Sequence, residues 1–177
     1  MFETDIRAPA GPSLVLGGAR SGKSRFSEQI VENTGLRPVY LATAKALDDE
    51  MVERIEHHQA RRDQRWETVE EPLALVDALR NEVFDGQAVL VDCLTLWVTN
   101  LMMADANVER ETDDLVSYLA SVDLPIVFVS NEVGQGVVPM DRMSRQFVDY
   151  SGLLHQKLSN VCAAVWFVTA GLPQQLK

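Results

Sequence analysis

The chain has 177 residues, 46% of them hydrophobic and 24% charged, with a formal net charge of −10 at pH 7. That length suits one domain with a real core. The acidic balance speaks against a general nucleic-acid binder, which needs a basic patch or stripe, and no apolar run approaches the ~18 residues of a membrane span.

The opening dozen residues, MFETDIRAPAGP, lack the apolar core of a secretory signal and read as a loose extension, residues 1–12. Residues 13–177 then read as a single domain. Ser13–Leu16 is a short apolar strand candidate, and it runs directly into GGARSGKS, Gly17 to Ser24. Gly17, four residues, then Gly22-Lys23-Ser24 is the spacing of a phosphate-binding loop. Glycine lets the chain turn tightly enough to aim backbone N–H groups at phosphate oxygens. Lys23 supplies a compact positive charge for the β- and γ-phosphates, and the Ser24 hydroxyl suits Mg²⁺. A helix over Lys23–Asn33, closed by Gly35, adds the positive end of its dipole to the same anion.

A second strand, Val39–Ala42, precedes a helical pattern over Leu47–Arg62. Met51, Ile55, His58 and Arg62 fall on one face of that helix, with His57 turned about 100° away. A neutral imidazole at His58 can attack phosphorus and form a phosphoramidate, with Arg62 offsetting phosphoryl charge. Two solvated histidines on a polar helix is the competing reading. Two adjacent histidines do not share a helix face, so a metal pair is disfavoured. Thr43–Leu47 is taken as a hinge for this helix.

The helix expected over Leu73–Val83 leads to a third strand, Ala88–Val91, which ends in Asp92. An apolar strand closing on Asp, in a chain with a phosphate loop, is the form of a Mg²⁺-holding carboxylate. Helices are expected over Leu94–Met103 and Val108–Ser121, a strand over Ile126–Val129, a helix over Arg142–Val161 and a last strand over Val165–Val168. These short, apolar, little-alternating strands separated by helices indicate an α/β fold, a mostly parallel central sheet with helices on both faces. Ligands in such sheets lie at the carboxyl ends of the strands. The segment SNEVGQGVVP, which follows the fourth strand, is therefore either a ligand loop or a structural crossover. His155 reads as structural. Cys93 and Cys162 read as buried free thiols, which suits a reducing cytoplasm.

Taken in order, GGARSGKS, LATA with LDDEMVERIEHHQARR, RWETVEEP, LVDCLTLWVTNLM and VSNEVGQGVVP with DRMSRQFVDYSGLLHQKL resemble the bifunctional adenosylcobinamide kinase / adenosylcobinamide-phosphate guanylyltransferase family of cobalamin biosynthesis. The resemblance runs from Leu14 to the end. It implies a phosphate-loop NTPase fold and two reactions. A γ-phosphate from ATP or GTP passes to adenosylcobinamide. GMP from GTP then passes, through a guanylylated histidine, to adenosylcobinamide phosphate, giving adenosylcobinamide-GDP and pyrophosphate.

Position by position, the resemblance implies nucleotide contacts from Gly17, Gly18, Ala19, Arg20, Ser21, Gly22, Lys23 and Ser24. It adds Ala42, Thr43 and Ala44, then Gln59, Ala60, Arg61 and Arg62, with Glu70 and Asp92. The R-I-x-x-H-x-x-x-R pattern selects His58 as the guanylylated residue, with Lys23 as the second catalytic group. Ser24 and Asp92 are the Mg²⁺ candidates. The Asn131–Pro139 loop is the expected corrinoid contact. A cytoplasmic homo-oligomer, a trimer, is also implied. A plain phosphate-loop kinase of a small metabolite is the nearest alternative, and it leaves His58 without a task. A GTPase-like switch is disfavoured, because its N-K-x-D stretch is missing from NEVG.

Overall fold

The computed structural model describes residues 9–44 and 63–177. In chain order the described elements are β1 (Ser13–Gly17), α1 (Lys23–Glu32), β2 (Arg37–Ala42), β3 (Glu67–Glu70), α2 (Leu75–Asn81), β4 (Gln87–Asp92), α3 (Leu94–Met103), α4 (Val108–Leu119), β5 (Ile126–Asn131), α5 (Arg142–Val161), β6 (Ala164–Thr169) and β7 (Leu172–Gln175). The strands form one sheet in the order β3-β2-β4-β5-β1-β6-β7. Every neighbouring pair is parallel except β6 with β7.

Alternation along each strand explains how the sheet is covered on both sides. Leu14 and Leu16 of β1, Val89 and Val91 of β4, and Phe128 of β5 face a core built with Leu75 and Leu79 of α2, Leu94, Trp97 and Val98 of α3, Leu115 of α4 and Leu154 and Leu158 of α5. Val15, Leu90, Val127 and Val129 face the other way, onto Phe26, Ile30 and Val31 of α1. Fully burying one such side chain contributes roughly 1.5–3 kcal/mol. Trp97 has no exposed surface, and its indole N–H donates to the Leu73 carbonyl at 2.9 Å, so its polar atom is satisfied in the core.

Each strand expected from apolar runs is present. β3 and β7 carry no such run. β3 is ETVE, polar at three of its four positions and mostly exposed, and β7 is LPQQ at the opposite edge. Both are edge strands, where only one side is paired and polarity or proline is tolerated. α2 starts two residues later than its sequence pattern, because Glu71 Oε1 accepts from the N–H groups of Leu73 and Ala74 at 2.8 Å each and holds a turn there. α4 ends at Leu119, where the Ser121 N–H bonds back to Tyr118 at 2.9 Å. The helix expected over residues 47–62 lies outside the described residues, as does most of the N-terminal extension.

Candidate functional site

The strand register fixes which residues meet at the carboxyl edge of the sheet. Gly17 stands opposite Asn131 on one side and Val168 on the other. Ala42 stands opposite Asp92 and Glu70. The last residues of β1, β2, β3, β4 and β5 thus line one edge, the edge at which parallel sheets hold their ligands.

The loop after β1 is built around two glycines. A Cβ on Gly17 would stand 2.5 Å from the Val168 carbonyl oxygen and 2.6 Å from Ser21 Oγ, so no larger residue fits there. Gly22 has φ 98° and packs its α-carbon side against Gly171. Between them Arg20 also takes a left-handed conformation, φ 54°. The Gly171 N–H donates to the Ser21 carbonyl at 2.7 Å, which ties the β6–β7 turn to the loop. Such a chain of turned residues leaves successive N–H groups on the concave side. Gly18, Ala19 and Arg20 are exposed.

α1, like α2 and α3, begins without a side-chain cap. α4 and α5 open with side-chain caps, Asn107 accepting from Arg110 at 3.0 Å and Asp141 from Ser144 at 2.8 Å. Gly22, before α1, has no side chain to cap with, and the first turn of α1 holds no acid. Its N–H groups and dipole therefore face the loop without a resident carboxylate.

Lys23 is buried, and its ammonium donates to the Gly18 carbonyl at 2.9 Å. Burial pulls its pKa below the ordinary lysine value, while Asp92 and the Cys93 thiol pull it back up. Ser24, half-buried, directs its hydroxyl at Asp92 Oδ2 at 3.5 Å. The serine after the loop lysine and the carboxylate ending β4 are therefore neighbours, although 68 positions separate them. Both are hard oxygen donors, the type Mg²⁺ takes, and Mg²⁺ is commonly held by one or two such groups plus substrate phosphates. Among the described residues no three His, Cys, Asp or Glu side chains gather to hold a metal by themselves. The donor set fits a Mg²⁺ shared with a nucleotide.

The exit of β2 is locked to the exit of β4. The Thr43 N–H donates to the Asp92 carbonyl at 3.2 Å. The Thr43 hydroxyl donates to the Cys93 carbonyl at 2.7 Å and accepts from the Cys93 N–H at 2.9 Å. Asn100 of α3 then donates to the Thr43 carbonyl at 2.8 Å and to the Pro72 carbonyl at 3.0 Å. Thr43 has no exposed surface, and residues 45–47 of the expected Thr43–Leu47 hinge lie outside the described residues. Ala44 follows it half-buried, and Glu70 is exposed at the end of β3. His58, Gln59, Ala60, Arg61 and Arg62 lie outside the described residues.

The residues 13–176 match the family model for cobinamide kinase / cobinamide phosphate guanyltransferase. The chain belongs to this family. It is 49% identical to the bifunctional adenosylcobalamin biosynthesis protein CobP of Pseudomonas aeruginosa, a match covering 93% of this chain and 96% of that protein. It is 35% identical to the CobU protein of Escherichia coli that bears the same bifunctional name, over 93% of this chain and 98% of that one. The family is thus one of enzymes with a kinase and a guanylyltransferase activity. Among solved structures, the flagellar accessory protein FlaH of Methanocaldococcus jannaschii superposes with TM-score 0.57 at 10% identity, over 96% of this chain and 79% of that one. A Pyrococcus horikoshii protein superposes with TM-score 0.55 at 13% identity, over 97% and 88%. These two support the fold only.

Two site features escape a reading of motifs. Asn100 and Thr95 lie inside an apolar helix, and nothing in their spacing marks them. Thr95 accepts from the Asn131 amide at 2.9 Å and lies 3.2 Å from Cys93 Sγ, so α3 braces the ends of both β4 and β5.

Proposed function

We propose that this enzyme phosphorylates adenosylcobinamide and then guanylylates the product through His58, with Gly17–Ser24 cradling the nucleotide phosphates for both steps. The observation that carries the reading is the meeting of Lys23, Ser24 and Asp92 at the end of the phosphate loop, in a chain of this family. The loop N–H groups and Lys23 hold the β- and γ-phosphates and offset charge on the departing group. Ser24 and Asp92 hold Mg²⁺, which supplies further neutralisation of phosphate charge when bound. Ala42, Thr43, Ala44, Gln59, Ala60, Arg61, Arg62 and Glu70 complete the nucleotide contacts.

In the guanylyl step the neutral imidazole of His58 forms a bond to the α-phosphorus of GTP while the bond to the bridging oxygen breaks and pyrophosphate leaves. The phosphate oxygen of adenosylcobinamide phosphate then attacks the same phosphorus and frees the imidazole. Two displacements replace one difficult transfer. ATP or GTP feeds the kinase step.

The corrinoid rests against the Asn131–Pro139 loop. This is supported by the exposure of Val137 and Val138 within that loop, 95% and 75%. We read residues 13–177 as one catalytic domain, residues 1–12 as an extension, and the assembly as a cytoplasmic trimer. Buried, unpaired Cys93 and Cys162 agree with a reducing compartment. Among the described residues no helix is long and apolar enough to cross a membrane.

The test is incubation with Mg²⁺ and GTP labelled at the α-phosphate, followed by peptide mapping. Acid-labile, base-stable label on the peptide with His58, absent from a His58→Ala variant that keeps kinase activity, is the expected result. No covalent label, with γ-phosphate transfer intact, would leave a plain kinase.

A further inference from the structure

The end of β5, the segment after it and α5 together hold a polar cluster that the nucleotide contacts do not use. Ser130, with no exposed surface, lies 2.7 Å from Nε2 of His155, a residue of α5 that is itself 8% exposed. The other ring nitrogen, Nδ1, faces Glu132 Oε2 at 4.0 Å. Glu132 Oε1 accepts from the Gly134 N–H at 2.6 Å, and the Glu132 N–H donates to the carbonyl of Gly17 at 3.1 Å. The carboxylate therefore grows from a backbone position hydrogen-bonded to the first residue of the phosphate loop, and 21% of its side chain remains exposed.

The order Ser, His, carboxylate has the outline of a nucleophile relay. Ser130 is sealed inside the sheet, however, and cannot reach a substrate. The exposed end of the cluster is Glu132. Burial holds the His155 imidazole below its ordinary value of 6.5, against the opposing pull of Glu132. A neutral ring that accepts from Ser130 at Nε2 presents its Nδ1–H to the carboxylate. A buried polar pair costs stability unless its hydrogen-bonding groups are matched. Here the Ser130–His155 pair is matched, and its Nδ1 side faces, at 4.0 Å, a carboxylate that borders the phosphate loop.

The structure assigns a further catalytic group, we propose: Glu132 is the general base of the kinase step, and Ser130 and His155 are its positioning residues. This rests on the kinase half of the proposed function. Glu132 takes the proton from the acceptor hydroxyl as that oxygen bonds to the γ-phosphorus. The bond from γ-phosphorus to the β-bridging oxygen breaks, and the nucleoside diphosphate departs from Lys23 and the loop. The proton on Glu132 then returns to solvent. Guanylyl transfer has no use for this base, since its acceptor is already an ionised phosphate.

Glu132→Gln separates a base from a mere turn cap, because a Gln carbonyl still accepts from the Gly134 N–H. With adenosylcobinamide as acceptor, the kinase kcat should fall about 100-fold or more, within the range of general base catalysis. Self-guanylylation by GTP labelled at the α-phosphate, which needs no corrinoid, and binding of a fluorescent GTP analogue should stay within about threefold of wild type, which also reports folding. His155→Ala should lower the kinase kcat with KM for the nucleotide unchanged. Kinase turnover of Glu132→Gln within threefold of wild type would overturn the proposal and leave Glu132 a turn cap. Equal loss of kinase turnover, self-guanylylation and nucleotide binding would overturn it too. A wild-type protein without kinase turnover would sink the proposed function and this inference together. Wild-type turnover with an unaffected variant would sink the inference alone.

Discussion

Gly17 is the residue on which the phosphate loop turns. A methyl group there meets the Val168 carbonyl oxygen at 2.5 Å, and a strand backbone has little room to withdraw. Gly18, one position on, has nothing within 4 Å of its would-be Cβ. We expect Gly17→Ala to lose roughly 1–3 kcal/mol of stability, as overpacked sites do, and to bind nucleotide at least tenfold more weakly. Gly18→Ala should keep wild-type stability. Urea denaturation with nucleotide titration measures both, and similar behaviour of the two variants would show that the loop shifts to accept the methyl group. The G-x-x-x-x-G-K-S pattern already marks Gly17 and Gly22 as loop glycines. It does not separate a glycine required by contact from the freely placed Gly18, because Val168 comes from a strand about 150 residues later.

At the scale of elements, α3 does more than cover the sheet. Its apolar residues bury against β4, and its few polar side chains reach the strand ends. Asn100 spends both amide hydrogens on carbonyls of two connecting segments, Thr43 and Pro72. Asn100→Ala leaves two acceptors without their donor in a buried region, at a cost of about 1–3 kcal/mol for such an orphaned group. The expected result is lower stability in urea together with weaker nucleotide binding, since Thr43 borders the site. A change below about 0.5 kcal/mol would mean that water replaces the amide. Periodicity predicted the helix over Leu94–Met103, with the bounds observed. The bracing role was not legible, since Asn in an apolar helix has the same spacing whether its amide meets solvent or backbone. The two edge strands escaped for a related reason. Strand signals in sequence come from burial on one or both faces, and β3 and β7 are short and largely exposed.

For the molecule as a whole, the two thiols report how it opens. Cys93, behind Asp92, has its pKa pushed up to about 11, and Cys162, after α5, to about 12, both chiefly by burial. Thiolate is scarce at pH 8, and neither sulfur is accessible in the fold. We expect an aromatic disulfide reagent to label the native protein only as fast as it unfolds, with both thiols appearing together. Rapid labelling of Cys93 alone would show that the end of β4 opens independently of the core.

Local patterning determined by itself that this is an α/β chain with a phosphate loop, because a strand, a Gly-rich turn and a helix N-terminus are contiguous, and the chemistry of GGARSGKS needs no distant partner to be recognised. It also marked Asp92 by its position at the end of an apolar strand. The tertiary structure alone decided the strand order, which inserts β5 between β1 and β4 and brings residues 130–132 beside the end of β1. It alone paired Ser24 with Asp92, and it turned His155 from a residue within a helix into the neighbour of Ser130 and Glu132. The physical reason is the same in each case. Periodicity records which face of an element is buried, whereas what that face meets depends on the register and order of strands far apart in the chain.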